Sequence, residues 1–270
     1  YGQGEQLLIE QIQVVDVQSG KTKTASVLIK NGKISAIKKK ITAPDNCKII
    51  DGSGKWLIPG LVDAHIHLFQ SGGVYTRPDA LDLTANKPYL EEVAWVRKAA
   101  GSLLKRYLRC GITTVMDLGG PMTNFDIRKE YSDNRAYPNL LLTGPLLSPY
   151  QPDAFDLIDA PIVAVHNTAE GVSEARKQFP LKPDFMKIWY LDAKAFPADS
   201  SFAWVKSTIE ESHAKGYKVA VHATQLKTAK LALKAGANFL VHSVDDEIID
   251  EEFIKLMLEN KATYIPTLLV

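Results

Sequence analysis

At 270 residues the chain is too long for one small core and short for two full-sized domains. A formal charge of +1, with 46% hydrophobic and 23% charged residues, gives no electrostatic case for nucleic acid or a membrane surface as partner. No apolar run reaches the roughly 18 residues that a membrane span needs. Cys47 and Cys110 form neither a metal-type nor a redox-type pair; one disulfide between them stays open, and a chain of this size does not require it. The start at Tyr1 rather than methionine reads either as a mature periplasmic or secreted protein after leader removal, or as a trimmed, otherwise cytoplasmic chain.

Residues 7 to 50 read as short strands. Ile12 to Val17 is followed by a turn at Ser19-Gly20, then by Ala25 to Ile29. Asn31-Gly32 is a strong two-residue hairpin signal, and Ile34 to Ile37 alternates beyond it. The expectation is a β-meander too small to bury a core alone.

From Trp56 the pattern changes to strands alternating with amphipathic segments of helix length. The apolar run at 61–66 precedes a helix at about 89–109, with Val93, Val96, Ala100, Leu103 and Tyr107 on one face and Gly111 placed to end it. Further strands are expected at 112–116, 140–143, 185–190, 219–222, 239–242 and from 263, with helices near 168–179, 200–215, from beyond the fifth strand to Lys234, and near 247–259. An irregular loop with four prolines spans 145–161. Repeated β/α units imply a parallel sheet with helices outside. Seven strands between Gly60 and Val270 fit a β/α barrel better than a doubly wound sheet. No nucleotide-binding glycine pattern lies at a strand–helix junction.

In such barrels the chemistry sits at the C-terminal ends of the strands. His65 and His67 lie on the first strand, Asp117 just after the second, Lys187 on the fourth, His222 on the fifth and His242 on the sixth. Strand alternation points His65 and His67 the same way, roughly 7 Å apart by strand rise. That suits two imidazoles on one metal, or equally a surface pair on an edge strand. His213 and His166 read as solvated or structural.

A lysine inside the apolar strand 185–190 is costly to bury unless it is paired or its pKa drops. Lys187 could form a Schiff base, act as a general base, react with carbon dioxide to give a carbamate, or pair with Asp117. Together, four imidazoles and one oxygen ligand match Zn²⁺ or a similar first-row divalent ion. With no G-x-S-x-G elbow and no cysteine at a strand end, a side-chain nucleophile is disfavoured against metal-bound hydroxide.

The sequence at this point resembles the amidohydrolase superfamily, in the imidazolonepropionase-related branch that includes Xaa-Pro-type dipeptidases. The matching residues are Ile50 to Lys55 running into Pro59 to His67, then Gly111 to Val115, Asp184 to Ile188, Val221-His222-Ala223, and Val241-His242-Ser243 leading to Ile265-Pro266-Thr267. The resemblance implies an α/β fold: a (β/α)8 TIM-type barrel over 60–270, seven strands of it in this chain, with residues 1–59 as the N-terminal part of a small β-sandwich. It implies two divalent metal ions, zinc foremost. His65 and His67 would hold the more buried ion and His222 and His242 the second, with a carbamate on Lys187 bridging both. Hydroxide between the ions would attack a carbonyl carbon and cleave an amide C–N bond, with Lys187, His222 and His242 at the reacting centre.

The family's last ligand is an aspartate on the eighth strand, which also shuttles a proton. Asp117, Asp245 and Asp246 do not match that position, so the barrel is expected to be incomplete at its C-terminal end. The expected partner is a small amide or dipeptide, with no nucleic acid or membrane and with homo-oligomerisation open. The alternatives are an inert metal-binding homologue or fragment, and a one-metal cyclic-amide hydrolase or deaminase, against which Lys187 counts. Pocket walls fall in the strand–helix loops. There Arg77, Tyr150 and Tyr190 read as substrate contacts or plain loop residues, and Gly72-Gly73 marks a long first loop that could cover the site.

Overall fold

The structure, a computed structural model, describes residues 6–70, 81 and 83–267. Two compact units meet in sequence at Gly60: Tyr1–Gly60 and Leu61–Val270.

In the first unit β1 (Gln6–Val15), β2 (Thr22–Lys30), β3 (Lys33–Lys38), β4 (Lys48–Asp51) and β5 (Trp56–Leu57) form one five-stranded sheet. β1 to β3 are an antiparallel meander. Asn31 and Gly32 sit at φ 50° and 72°, the left-handed pair that a type I′ hairpin turn demands. The meander stops there, because β4 and β5 both pair with β1 in parallel and fill the other edge of that long strand. The β1 side chains in this core cluster run Leu7, Ile9, then Ile12, and Leu8 between them is buried as well. The alternation slips by one at a bulge between Ile9 and Ile12, where Gln11 takes φ 53°, and this keeps both halves of the strand facing one core.

The second unit runs β6 (Leu61–Ile66), α1 (Tyr89–Arg109), β7 (Ile112–Asp117), α2 (Asn124–Tyr131), β8 (Asn139–Leu142), β9 (Leu146–Ser148), β10 (Ile162–Ala164) and α3 (Thr168–Gln178). It continues with β11 (Met186–Trp189), α4 (Ala198–Ala214), β12 (Val219–His222), α5 (Leu226–Lys234), β13 (Phe239–Val241), α6 (Glu251–Glu259) and β14 (Thr263–Ile265). The strands lie in two parallel sheets, β6-β7-β8 and β10-β9-β11-β12-β13-β14.

All seven expected strand positions carry strand, but β9 and β10 are additional. The segment expected to be an irregular loop holds β9, and β10 directly follows it. Three-residue strands hemmed by Pro145, Pro149 and Pro161 are too short to show any period. Helix α2 was likewise not expected. On α1 the buried stripe is Tyr89, Glu92, Val96, Ala100 and Leu104, so Leu104 rather than Leu103 faces inward. Gly111, at φ 78°, follows its last turn as expected.

Helices pack on the outer face of each sheet. Ile66, Val115, Leu140 and Leu142 meet Ala100 and Leu104 of α1 and Phe125 and Ile127 of α2. Met186, Ile188, Val219, Val221 and Leu240 meet α3 to α6. The opposite faces share a small cluster of Leu118, Phe185, Ala220 and Val241, with Met116, Leu141, Phe239 and Ile265 against it. Since these residues come from both sheets, the sheets wrap a common interior with helices outside. Among the described residues the two sheets are not joined into one closed barrel, and no helix is long and apolar enough to cross a membrane.

Candidate metal centre

Three strand ends bring four imidazoles together. His65 Nε2 lies 3.2 Å from His67 Nε2; the strand separates their backbones, and the side chains converge. His65 also meets the ring of His242 at 4.5 Å between centroids, and His242 meets His222 at the same distance. The rings therefore form a run, His67–His65–His242–His222, across β6, β12 and the end of β13. Among the described residues no three His, Cys, Asp or Glu side chains are arranged to hold one ion. The four rings follow one another at 4.5–5.0 Å between centroids.

Two rings of the run are braced from behind. His67 Nδ1 lies 2.9 Å from the Gly119 carbonyl, which can only accept, so the ring is protonated at Nδ1 and its Nε2 lone pair faces His65. His242 Nδ1 is 2.8 Å from Thr267 Oγ1. His242 itself sits at φ 77°, a conformation that non-glycine residues adopt at a cost of about 1–3 kcal/mol; its amide donates to the Ile265 carbonyl at 3.0 Å.

Lys187 lies in register with Ala220 of β12 and is 1% exposed. Its Nζ has no hydrogen-bond partner among the described residues, and burial lowers its pKa to about 7. The pairing with Asp117 that the sequence left open is absent. Asp117 ends β7 rather than following it, and its carboxylate accepts from Asn124 Nδ2 at 2.9 Å and from Leu68 N at 3.4 Å. Burial pushes the Asp117 carboxyl up to about 8, against the opposing pull of these donors and the Gly119 amide. His65 is held far below the ordinary imidazole range by burial, reinforced by Lys187, His67, His242 and His222 nearby. Its neutral form is the one that ligates metals.

The donor set fits divalent ions. Two nitrogens about 2.0–2.1 Å from a tetrahedral Zn²⁺ stand roughly 3.3–3.4 Å apart, close to the 3.2 Å between His65 and His67. His222 and His242 could serve a second ion. Lys187 Nζ, buried and without a hydrogen-bond partner among the described residues, is close enough to bear on His65.

Other candidates fall away. Tyr190 is buried, and its hydroxyl donates to the Ala198 carbonyl at 2.7 Å, so it is a packing residue and not a substrate contact. Tyr150 stacks on Phe196. His213 Nε2 pairs with Asn238 Oδ1 at 2.8 Å, a structural role. Asp246 accepts from the Leu226 amide at the start of α5. Cys47 and Cys110 are both free thiols. Arg77 and Gly72-Gly73 lie outside the described residues. Gly119, Asn124 and Thr267 carry no local signal of their own that marks them in the sequence.

Parallel strands, helices outside and imidazoles at strand ends define an α/β protein of the TIM-barrel-like type. The chain belongs to the amidohydrolase family, which it matches over residues 56–269. It is similar to a dihydroorotase of Bacillus cereus (strain B4264), 34% identical over 131 residues, covering 42% of this chain and 30% of that protein. The match therefore spans less than a third of that relative's length. Its fold is similar to that of a prolidase crystallised with N-methylphosphonate-L-proline, with a TM-score of 0.77 and 21% identity over 98% of this chain and 67% of the other. It is also similar in fold to a Xaa-Pro dipeptidase with bound methionine in the active site, with a TM-score of 0.72 and 21% identity over 96% and 66%.

Proposed function

We propose that this chain is the metal-binding body of an amidohydrolase that cleaves a peptide-like or N-acyl amide C–N bond, using two divalent ions. The observation that carries this reading is the His67–His65–His242–His222 run beside the orphaned Nζ of Lys187. His65 and His67 would hold one ion, and His222 and His242 the other. When bound, such ions polarise a carbonyl oxygen and acidify water.

The chain's own residues prepare for this. Gly119 and Thr267 fix two of the rings from behind, so less freedom is lost on binding. Lys187, deprotonated by burial near neutral pH, attacks carbon dioxide. A nitrogen–carbon bond forms as one carbon–oxygen π bond of CO₂ opens to a carboxylate, and the proton lost from the nitrogen passes to solvent. The carboxylate would supply an oxygen donor beside the imidazoles for the ions and resolve the unpartnered buried nitrogen.

Support for amide substrates comes from the family and from the names of the relatives: a dihydroorotase, a prolidase and a Xaa-Pro dipeptidase. The test is to load the full-length protein with Zn²⁺, count metal per chain, and assay Xaa-Pro dipeptides, N-acyl amino acids and cyclic amides. Two ions per chain and hydrolysis of a linear amide are expected. One ion with cyclic-amide hydrolysis overturns the two-metal reading, and full activity in stripped protein overturns the metal reading altogether.

A further inference from the structure

We infer that Asp117 is a positioning residue for His67, holding both the backbone that carries the ring and the carbonyl that orients it. This rests on the metal-binding reading above, in which His67 is a ligand through Nε2. The Asp117 side chain is fully buried at the end of β7. One oxygen accepts from the amide of Leu68, the residue after His67. The carboxylate also accepts from the Gly119 amide, and the Gly119 carbonyl is the partner of His67 Nδ1. Its other oxygen is held by Asn124 Nδ2 at 2.9 Å. Asp117 Oδ1 is itself 4.0 Å from His67 Nδ1, too far for a direct hydrogen bond, so its influence on the ring runs through Leu68 and Gly119.

The arrangement is built tightly. A Cβ on Gly120 would lie 2.3 Å from Asn124 Nδ2 and 3.7 Å from Asp117 Oδ2, so the 119–120 turn is pressed against the pair that anchors it. Gly119 sits at φ 127°, and the Gly120 amide bonds the Gly144 carbonyl at 3.3 Å. A carboxylate with three amide donors converging on it stiffens the loop in a low-dielectric setting. Asn124, the first residue of α2, connects that helix to the candidate metal centre.

The test uses the full-length, metal-stripped protein and two variants, Asp117→Asn and Asn124→Ala. Visible absorption during Co²⁺ titration reports affinity and ligand geometry, and ¹⁵N imidazole shifts in the stripped protein report the His67 tautomer. The wild type is expected to show His67 protonated at Nδ1 and to bind Co²⁺. Either folded variant should bind Co²⁺ about 10–100-fold more weakly, as loss of an outer-shell partner does, with altered absorption bands and a shifted tautomer signal. If Asp117→Asn does not fold, Asn124→Ala decides. Unchanged affinity, spectrum and tautomer in a folded variant overturn the inference, as does an Nε2-protonated His67 in the wild type. A wild type that binds no Co²⁺ is a failure of the metal reading, and the tautomer comparison then decides on Asp117 alone.

Discussion

The side chain of Gln178, at the end of α3, accepts the Gly144 amide at 3.1 Å across the break between β8 and β9. The same Oε1 accepts from Thr143 Oγ1, and Nε2 donates to the Pro145 carbonyl at 3.0 Å. One strand ends at Leu142 and the next begins at Leu146 in the other sheet, and one buried glutamine bonds all three residues between them. Gln178→Leu leaves these buried groups without partners, at about 1–3 kcal/mol for each. A stability loss of roughly 3 kcal/mol in urea denaturation is expected, and a loss below about 1 kcal/mol would mean that water substitutes freely at the break.

Gly119 is similarly constrained. At φ 127°, with an added Cβ only 2.4 Å from Leu146 Cδ1, alanine meets both backbone strain and overpacking. Gly119→Ala should lower stability by about 2–3 kcal/mol. Adding Leu146→Ala relieves the steric part and leaves the dihedral cost, so partial recovery in thermal unfolding is the expected outcome. Full recovery would remove the backbone argument.

Lys187 makes a pH prediction for the metal-free protein in CO₂-free buffer. Its folded pKa of about 7 lies below the unfolded value of about 10.4, so between these limits the unfolded chain binds the extra proton. Stability from this site therefore rises with pH across that window and is flat below pH 7. Compared with Lys187→Met, the wild type should gain up to about 1 kcal/mol per pH unit between pH 7.5 and 9.5. Parallel urea-denaturation curves for the two proteins at each pH test this, and a constant difference contradicts it.

The six histidines divide into two behaviours. His65→Ala should lower bound Zn²⁺ per chain, measured by atomic emission, at the site shared with His67. His213→Ala should leave metal content unchanged and cost at most about 1 kcal/mol, through the exposed contact with Asn238. Loss of metal on His213→Ala would show that the rings have been sorted wrongly.

The second unit was legible because its signals are local. Long helices such as α1 and α4 show a 3.6-residue stripe, and apolar strand runs alternate with them; in the first unit Asn31-Gly32 likewise defines its own turn. β9, β10 and α2 were not legible. Strands of three residues and a helix of eight carry too few positions for a period, and their burial depends on neighbours far along the chain. The pairing of β4 and β5 with β1 was hidden for the same reason, since parallel partners leave no turn signature.

The sequence by itself determined which side chains stand at the strand ends, because the order of β/α units follows from periodicity. It also determined that Lys187 is buried, because the strand around it is apolar on both sides. Only the tertiary structure decided what those side chains meet. His65 and His67 touch at 3.2 Å, and His242 joins them to His222. Asp117 accepts from Leu68, Asn124 and Gly119 and not from Lys187. These contacts join strands tens of residues apart, and their distances are set by sheet register and helix packing, which no local pattern encodes.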